Sequence, residues 1–417
     1  MTVAPEQFDP AAVAGACPEW RSLPGEFFTS DEIYRADIDR VWRRGWLFAG
    51  HDCEIPNAGD YFTFNVGTDP LIVIRGEDGV VRAFHNVCRH RGTLLCRETS
   101  GSARQLVCPY HQWVYGKDGK LLSYRGMHQE LDSDSLGLLP VATENLCGFI
   151  FVNLDDRPVD FGPAREQLEL MLKPQGVDRA KVASAVNYTV RANWKLVWEN
   201  NRECYHCNLN HPQYIKANYD HFNTDDTSPK MTARIDEKSR KSMEAWGRQG
   251  LAITHRASGM APFPNSGVYG WFSINRTLLS DGYVSETMDG KQVAPLMGDY
   301  TDNSVGTLRL RTVPNMWCHA SCDHAVSTRL LPIDKTTTEV RVIWLVDEKT
   351  EEGRDYDLEK LMPFWQLTSE QDWELCEAAQ LGVQSSGYRP GPYSKYKEYN
   401  VERFVRWYLN ELAKFNK

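Results

Sequence analysis

A chain of 417 residues is too long for one compact core, so two domains are the default expectation. A net charge of −9 without any long Lys or Arg block argues against a nucleic-acid partner, and no apolar run approaches the length of a membrane span. The first forty residues carry several acidic groups and no apolar core of a leader peptide, so a soluble, cytoplasmic protein is expected.

The eleven cysteines show no evenly spaced disulfide framework and are expected to be reduced. Cys17, Cys53, Cys96, Cys147, Cys318 and Cys322 read as small buried hydrophobes. Cys204 and Cys207 form a C-x-x-C pair, but no thioredoxin-like strand precedes them, so no redox role is expected there.

Residues 1–45 read as largely helical and amphipathic. Ser30-Asp31-Glu32 is a helix start ahead of Ile33, Tyr34, Ile38, Val41 and Trp42. From Trp46 the pattern changes to short β-branched and aromatic runs at 61–66, 71–75 and 80–84, separated by Gly, Asp and Asn turns such as Gly76-Glu-Asp-Gly79. A small all-β domain over 46–155 follows from this spacing.

Inside it lie Cys88-Arg-His90 and, after seventeen intervening residues, Cys108-Pro-Tyr-His111. Each tight loop offers one thiolate and one imidazole. A zinc finger normally pairs its cysteines in one half and its histidines in the other. The split set suits a Rieske [2Fe–2S] centre, in which one iron takes two cysteines and the other two histidines.

The stretch 193–212 carries Trp194, Val197 and Trp198 at helical spacing, and a helix with one buried face is expected. Asn200, Glu203 and His206 share a face of that helix, while His211 lies roughly 140° further round than His206. The two histidines meet at one metal only if the helix bends or ends near them, and Pro212 favours that. Two imidazoles and a carboxylate make the facial triad of non-haem iron oxygenases, although zinc suits the spacing equally well.

A polar stretch to about residue 255 reads as loops plus a solvated helix. Strand-like runs follow at 268–274, 306–313, 325–331 and 339–346, alternating as an antiparallel sheet with one buried face. No G-x-G-x-x-G opens a helix, so the chain has no dinucleotide site of its own. A long C-terminal helix over 357–380 sets Asp372 beside a stripe of Leu361, Phe364, Trp365, Thr368, Leu375 and Cys376.

The two motifs together carry a resemblance. Cys88-Arg-His90-Arg-Gly92 with Cys108-Pro-Tyr-His111-Gln-Trp113 resembles the cluster motif of ring-hydroxylating-type Rieske oxygenases. Asn193-Trp-Lys195 with Glu199-Asn200, Glu203, His206 and His211 resembles their mononuclear iron motif. The run Lys195–His206 is most similar to the betaine demethylase branch, which includes proline betaine, glycine betaine and carnitine monooxygenases.

The resemblance implies an α+β fold: an N-terminal helical segment (1–45) packing on the catalytic domain, an all-β Rieske domain (46–155) and a helix-grip catalytic domain (156–417) with a curved antiparallel sheet. It implies a [2Fe–2S] cluster on Cys88, His90, Cys108 and His111, and mononuclear Fe(II) on His206, His211 and Asp372. Without it, Asp372 is an ordinary solvated helical carboxylate. It further implies that Glu203, beside Asn200, bridges the two centres across a homotrimer. NAD(P)H electrons then arrive through a separate flavin and iron–sulfur reductase. The expected reaction is O2-dependent N-demethylation of a quaternary amine, the alternatives being hydroxylation of an aromatic substrate or a choline- or carnitine-type oxidation. A quaternary ammonium group binds well among aromatic faces, and Tyr205, Tyr269, Trp271, Phe272, Trp317 and Trp365 form the available pool.

Overall fold

The structure, a computed structural model, describes residues 9–127, 131–218, 228–252 and 270–414. At the N-terminal end the Asp9 carboxylate accepts from the Ala11 and Ala12 N–H groups and starts α1 (Pro10–Gly15). After the short α2 (Glu26–Thr29), Ser30 caps α3 (Asp31–Asp37) by accepting from the Glu32 and Ile33 N–H groups, as its sequence position anticipates. A π-helical turn over Ile38–Trp42 continues α3 and buries Val41 and Trp42.

Ten strands follow: β1 (Leu47–His51), β2 (Asp60–Val66), β3 (Asp69–Arg75), β4 (Val81–His85), β5 (Ser100–Ser102), β6 (Leu106–Val107), β7 (Val114–Tyr115), β8 (Leu121–Ser123), β9 (Pro140–Leu146) and β10 (Phe149–Asn153). Seven form one sheet in the order β1-β10-β9-β4-β3-β2-β5, and β6-β7-β8 form a small second sheet. The period-two pattern of β2 is realised directly, with Phe62, Phe64 and Val66 turned into the core. Gly79, at φ +76°, makes the tight β3–β4 turn with Gly76.

The second half contains α4 (Gly162–Leu172), β11 (Ala180–Val190), α5 (Trp194–Asn201), α6 (Cys207–Asn210), α7 (Pro212–Ala217), α8 (Pro229–Arg248), β12 (Phe272–Thr277), β13 (Thr307–Thr312), β14 (Met316–Ala320), β15 (Ala325–Asp334), β16 (Thr337–Asp347), α9 (Leu358–Leu361), α10 (Pro363–Val383) and α11 (Tyr399–Ala413). A six-stranded antiparallel sheet, in the order β11-β16-β15-β14-β13-β12, curls over α10 and α5. Among the described residues no helix is long and apolar enough to cross a membrane.

Several expectations are corrected. The helix over 193–212 is three pieces, α5, α6 and α7, because the chain turns after Asn201 and Pro212 opens α7 at its first position. Asn200, Glu203 and His206 therefore share no helical face. The C-terminal helix over 357–380 is divided at Met362, since Pro363 starts α10 afresh, and α11 lies beyond it. The strand expected at 268–274 begins at Phe272, and residues 268–269 lie outside the described residues. Strands β11 and β14 complete the sheet without having been anticipated. The expected sheet with one buried face is enclosed on both faces along β12, β13 and β14. In β13, Leu308 and Leu310 alternate with Thr307, Arg309 and Arg311, all of them buried. The alternation marks a polar interior, not solvent.

The two halves lock through polar groups on β1. The Phe48 N–H donates to Asn315 Oδ1 at 2.9 Å, and Asn315 Nδ2 donates back to the Phe48 carbonyl at 2.8 Å. The fully buried His51 ring lies between the Gly148 carbonyl and Ser327 Oγ, and burial depresses its pKa to about 4, so it stays neutral. A second buried network anchors α5. Lys195 Nζ donates to Asp37 Oδ2, and the same carboxylate accepts from Trp194 Nε1 at 3.0 Å and from Tyr408 OH at 2.6 Å. The ammonium also lies 5.0 Å from the Trp194 ring and 5.1 Å from the Tyr408 ring. One ion pair thus ties α3, α5 and α11 together, and Lys195 serves structure.

Candidate functional site

Two loops at one end of the β domain bring the first donor set together, each closed by the same device. The Cys88 N–H donates to the Thr93 carbonyl and the Gly92 N–H returns to the Cys88 carbonyl; the Cys108 N–H donates to the Trp113 carbonyl and the Gln112 N–H returns to the Cys108 carbonyl. The fifth residue of each loop has positive φ, +75° at Gly92 and +57° at Gln112, which lets so few residues reverse direction. Cys88 and Cys108 are buried. The imidazoles of His90 and His111 lie edge to face with centroids 4.7 Å apart, and His90 stacks on Trp113.

These residues fit a [2Fe–2S] group. His90 Nδ1 is buried without a hydrogen-bond partner among the described residues, which costs free energy unless a ligand takes the lone pair. Burial raises the Cys108 thiol, and burial with the neighbouring His90 and Arg91 lowers His111, which favours the neutral imidazole a metal takes. Tyr115 OH reaches Cys88 Sγ at 3.4 Å and accepts from the Arg89 N–H at 3.0 Å.

The second donor set lies where α5, α6, α7 and α10 meet. The turn after Asn201 places His206 at the start of α6, and the break before Pro212 leaves His211 between α6 and α7. Their rings are 5.0 Å apart and nearly perpendicular. Both Nε2 atoms converge on Asp372 Oδ1 from α10, at 3.2 Å from His206 and 2.9 Å from His211. Each Nδ1 is held by another oxygen: Glu203 Oε1 at 2.5 Å for His206 and Gln371 Oε1 at 2.8 Å for His211. An Nδ1–H donated outward leaves the Nε2 lone pair facing inward, the tautomer that binds a metal.

Burial works against charge on His206, but the Asp372 and Glu203 carboxylates outweigh it and raise its pKa to about 10. For Asp372 burial is likewise outweighed, by the hydrogen bonds from both rings, and its pKa falls. Two histidines and an acid on facing elements suit a divalent cation that replaces those shared protons. Cys207 Sγ also lies close to both histidines. It is bonded to Cys204, however, so no thiolate is offered and Asp372 is the fitting third ligand. That disulfide corrects the expectation of wholly reduced cysteines: the turn between α5 and α6 brings the two Cα atoms to 5.0 Å, within bridging range. The other nine cysteines are free.

Glu203 is tied down at both oxygens, by His206 and by the Tyr205 N–H, and its side chain keeps 15% of its surface. A small cavity beside the histidines is lined by Asn200, Asn201, Tyr214, Arg311, His319, Trp365 and Thr368 together with Glu203 and the three candidate ligands. Of the aromatic pool only Trp365 lines it. Tyr205 points outward and is 57% exposed, under the Lys397 ammonium. Trp271 and Phe272 pack with Phe161 in the core, and Trp317 stacks between Trp198 and Trp373. Tyr269 lies outside the described residues.

Tyr214, Arg311 and His319 are cavity residues that sequence reasoning missed. The signal was present in Arg309-Leu-Arg311, two charges at period two inside a strand too apolar to be solvated. His319 meets Trp365 edge to face, with centroids 4.3 Å apart, and faces the buried Glu286, 3.7 Å away. Burial lowers the His319 pKa to about 4 and keeps the ring neutral.

Comparison with known proteins agrees with this architecture. Residues 45–143 match the Rieske [2Fe-2S] domain and residues 177–414 match the ring hydroxylating alpha subunit catalytic domain. The chain is 40% identical over 393 residues to the glycine betaine monooxygenase oxygenase subunit of Chromohalobacter salexigens, covering 94% of this chain and 86% of that protein. It is 38% identical over 394 residues to the corresponding subunit of Pseudomonas aeruginosa, covering 94% and 89%. The quaternary ammonium Rieske monooxygenase CntA shares the fold with a TM-score of 0.69 at 21% identity, over 99% of this chain and 100% of that one. With a Rieske domain followed by a ring-hydroxylating catalytic domain over nearly its whole length, the chain belongs to the Rieske non-haem iron oxygenase alpha subunits.

Proposed function

We propose that this protein is the oxygenase component of a monooxygenase that removes an N-methyl group from a small quaternary ammonium compound. The observation that carries the reading is the pair of imidazoles whose Nδ1 atoms are engaged by Glu203 and Gln371 while their Nε2 atoms meet Asp372. Cys88 and Cys108 would hold one iron of the cluster, His90 and His111 the other, and His206, His211 and Asp372 the mononuclear iron. Dioxygen activation is the chemistry that this iron supplies when bound, and electron delivery is the cluster's.

The chain's own residues position the substrate. Trp365 and Tyr214, with ring centroids 6.1 Å apart, present two aromatic surfaces to a trimethylammonium group. Insertion of one oxygen atom into an N-methyl C–H bond gives a hemiaminal. Cleavage of its C–N bond releases formaldehyde, the tertiary amine and a proton; the second oxygen atom leaves as water after two electrons and two protons are taken up. The relatives named as glycine betaine monooxygenases support this substrate class.

The electrons come from NAD(P)H through a separate reductase, and the active form is a head-to-tail trimer in which one subunit's cluster serves its neighbour's iron through Glu203. Exposed apolar side chains at both centres support that packing: Leu94 and Tyr110 beside the cluster loops, Tyr205 and Leu209 beside the iron ligands. We divide the chain into an N-terminal segment to residue 45, a Rieske domain to 155 and a catalytic domain beyond it. Oxygen uptake and formaldehyde release by the reductase-coupled protein, measured across quaternary amines and aromatic acids, test the proposal. Uptake confined to aromatic acids, with no formaldehyde, would overturn it.

A further inference from the structure

The cavity holds a charge that the metal chemistry does not use. Arg311 lies on the inner face of β13, opposite Trp317 on β14, and is 2% exposed. Among the described residues lining the cavity it is the one Arg or Lys. Among the described residues its one hydrogen bond runs from Nε to Asn201 Oδ1 at 3.3 Å, and no described carboxylate lies within ion-pair distance of it. The two acids beside it are committed elsewhere, Glu203 to His206 and Asp372 to both histidines.

The other charged groups on this wall are also engaged. Arg309, two residues earlier on the same face, donates to Asn218 Oδ1 at 2.5 Å. Glu286 accepts from Thr307 Oγ1 at 3.0 Å and faces His319. Burial and the neighbouring Arg309 lower the Arg311 pKa to about 10, so its guanidinium stays charged at neutral pH. Glu286 acts on Arg311 only at a distance, without an ion pair; a buried cation with no directly paired carboxylate among the described residues is costly, and a planar fork of donors matches a carboxylate in particular.

We infer that Arg311, steadied by Asn201, is the subsite for the carboxylate of a small zwitterionic substrate, whose ammonium end lies against Trp365 and Tyr214 beside the iron ligands. The inference rests on the quaternary amine reading above and narrows it. The preferred substrates are short betaines, in which one molecule carries the permanent cation and the anion, and compounds with the same head but no carboxylate are poor. Arg311 is a specificity residue: it binds the end of the substrate that does not react, and the carboxylate in turn neutralises the guanidinium.

The test uses the reductase-coupled holoenzyme with three probes of the same trimethylammonium head: glycine betaine, its methyl ester and choline. The wild type is expected to favour the free carboxylate over both neutral probes by roughly 10- to 100-fold in kcat/KM, the range of a charge-assisted hydrogen-bonded pair. Arg311→Gln is expected to raise KM for glycine betaine by about the same factor, with little change for choline and with cluster absorbance and iron content retained. Arg311→Lys keeps the charge without the fork and should fall between the two. Equal wild-type turnover of the acid and its ester would overturn the inference on the native protein alone, whether or not the variants fold. An unchanged glycine betaine KM in a folded Arg311→Gln protein would do the same. If none of the three probes is oxidised by the wild type, the quaternary amine reading itself fails, a separate outcome.

Discussion

His211 and Gln371 are joined by a 2.8 Å hydrogen bond from the ring Nδ1–H to the amide Oε1, and the next residue of α10, Asp372, meets the opposite ring nitrogen at 2.9 Å. One helix therefore grips both edges of one imidazole. Gln213 Nε2 donates to the same Gln371 oxygen at 2.9 Å, which fixes the amide as an acceptor. Gln371→Leu removes the acceptor and is expected to weaken iron binding about 10- to 100-fold. Iron retained against a graded chelator, with cluster absorbance as the internal control, measures it. Affinity equal to wild type would mean that packing alone orients the ring.

Glu203 touches His206 but not the candidate metal position, so its removal is expected to separate coupling from occupancy. In Glu203→Gln the charge-assisted bond becomes a neutral one of about half the strength. Iron and cluster content should match wild type, while single-turnover oxidation of the reduced cluster is largely lost. Glu203→Asp keeps the charge but shortens the reach by one methylene and should recover only part of the rate. Cluster oxidation at the wild-type rate in Glu203→Gln would return the residue to a structural role.

The Lys195–Asp37 pair is completely enclosed. Breaking such a pair leaves one uncompensated charge, so Lys195→Met is expected to destabilise by about 3–5 kcal/mol. Urea unfolding followed by tryptophan fluorescence reports this directly, since Trp194 shares the Asp37 carboxylate. The double variant Lys195→Met with Asp37→Asn removes both charges and should regain part of the loss. No recovery in the double variant would show that the network's hydrogen bonds dominate over its charges.

Tyr115 reaches Cys88 Sγ, and with Cys88 as a cluster ligand its hydroxyl is expected to stabilise added negative charge on that sulfur. Tyr115→Phe removes one hydrogen bond, worth about 1 kcal/mol, which for a one-electron couple lowers the reduction potential by roughly 40 mV. Redox titration monitored by the reduced cluster's EPR signal checks this. An unchanged potential would place the hydroxyl with the Arg89 N–H alone.

Glu199 gives a pH signature of defined sign. Burial raises its pKa from 4.5 to about 8, only partly offset by Lys195 and the Tyr393 hydroxyl, and its Oε1 has no hydrogen-bond partner among the described residues. Between those values the folded protein keeps a proton that the unfolded chain releases, so this group makes stability fall as pH rises from about 4.5 to 8. Above that window both states are ionised and the contribution levels off. The slope is at most about 1.4 kcal/mol per pH unit for one proton. Glu199→Gln should remove it, so the wild-type and variant unfolding midpoints, measured from pH 5 to 8, should converge or cross as pH falls. Parallel curves would show that the carboxyl is ionised throughout.

The cluster loops were legible because their chemistry is local. Cys88 and His90 are two positions apart and Cys108 and His111 three, and a five-residue loop with a positive-φ residue presents both donors whatever surrounds it. His206 and His211 were legible for the same reason, and Pro212 signalled the break between them. The error lay in assigning Asn200, Glu203 and His206 to one helical face. Glu203 reaches His206 through a turn, a feature that three-residue spacing imitates.

The aromatic pool shows the opposite case. Tyr205 and Trp365 are equally plausible as residue types, and nothing in their neighbours distinguishes them. Which one faces a cavity depends on how α10 lies across the sheet and where the chain turns after α5, and both are settled by contacts between residues more than a hundred positions apart. The alternation of β13 was read as one solvated face for a similar reason. Period two reports that two faces differ, not which of them meets water.

From its sequence alone this protein's two clusters of candidate donors, their order and its β-then-mixed architecture follow, because donors on short loops and periodic apolar runs act through neighbours in the chain. The approach of Asp372, the acceptors that set both histidine tautomers, and the buried arginine facing the cavity were decided only by tertiary structure. Asp372, Gln371 and Arg311 come from elements that have no local reason to meet. Burying the curled sheet's apolar face against α10 and α5 is what carries these polar groups to the histidines.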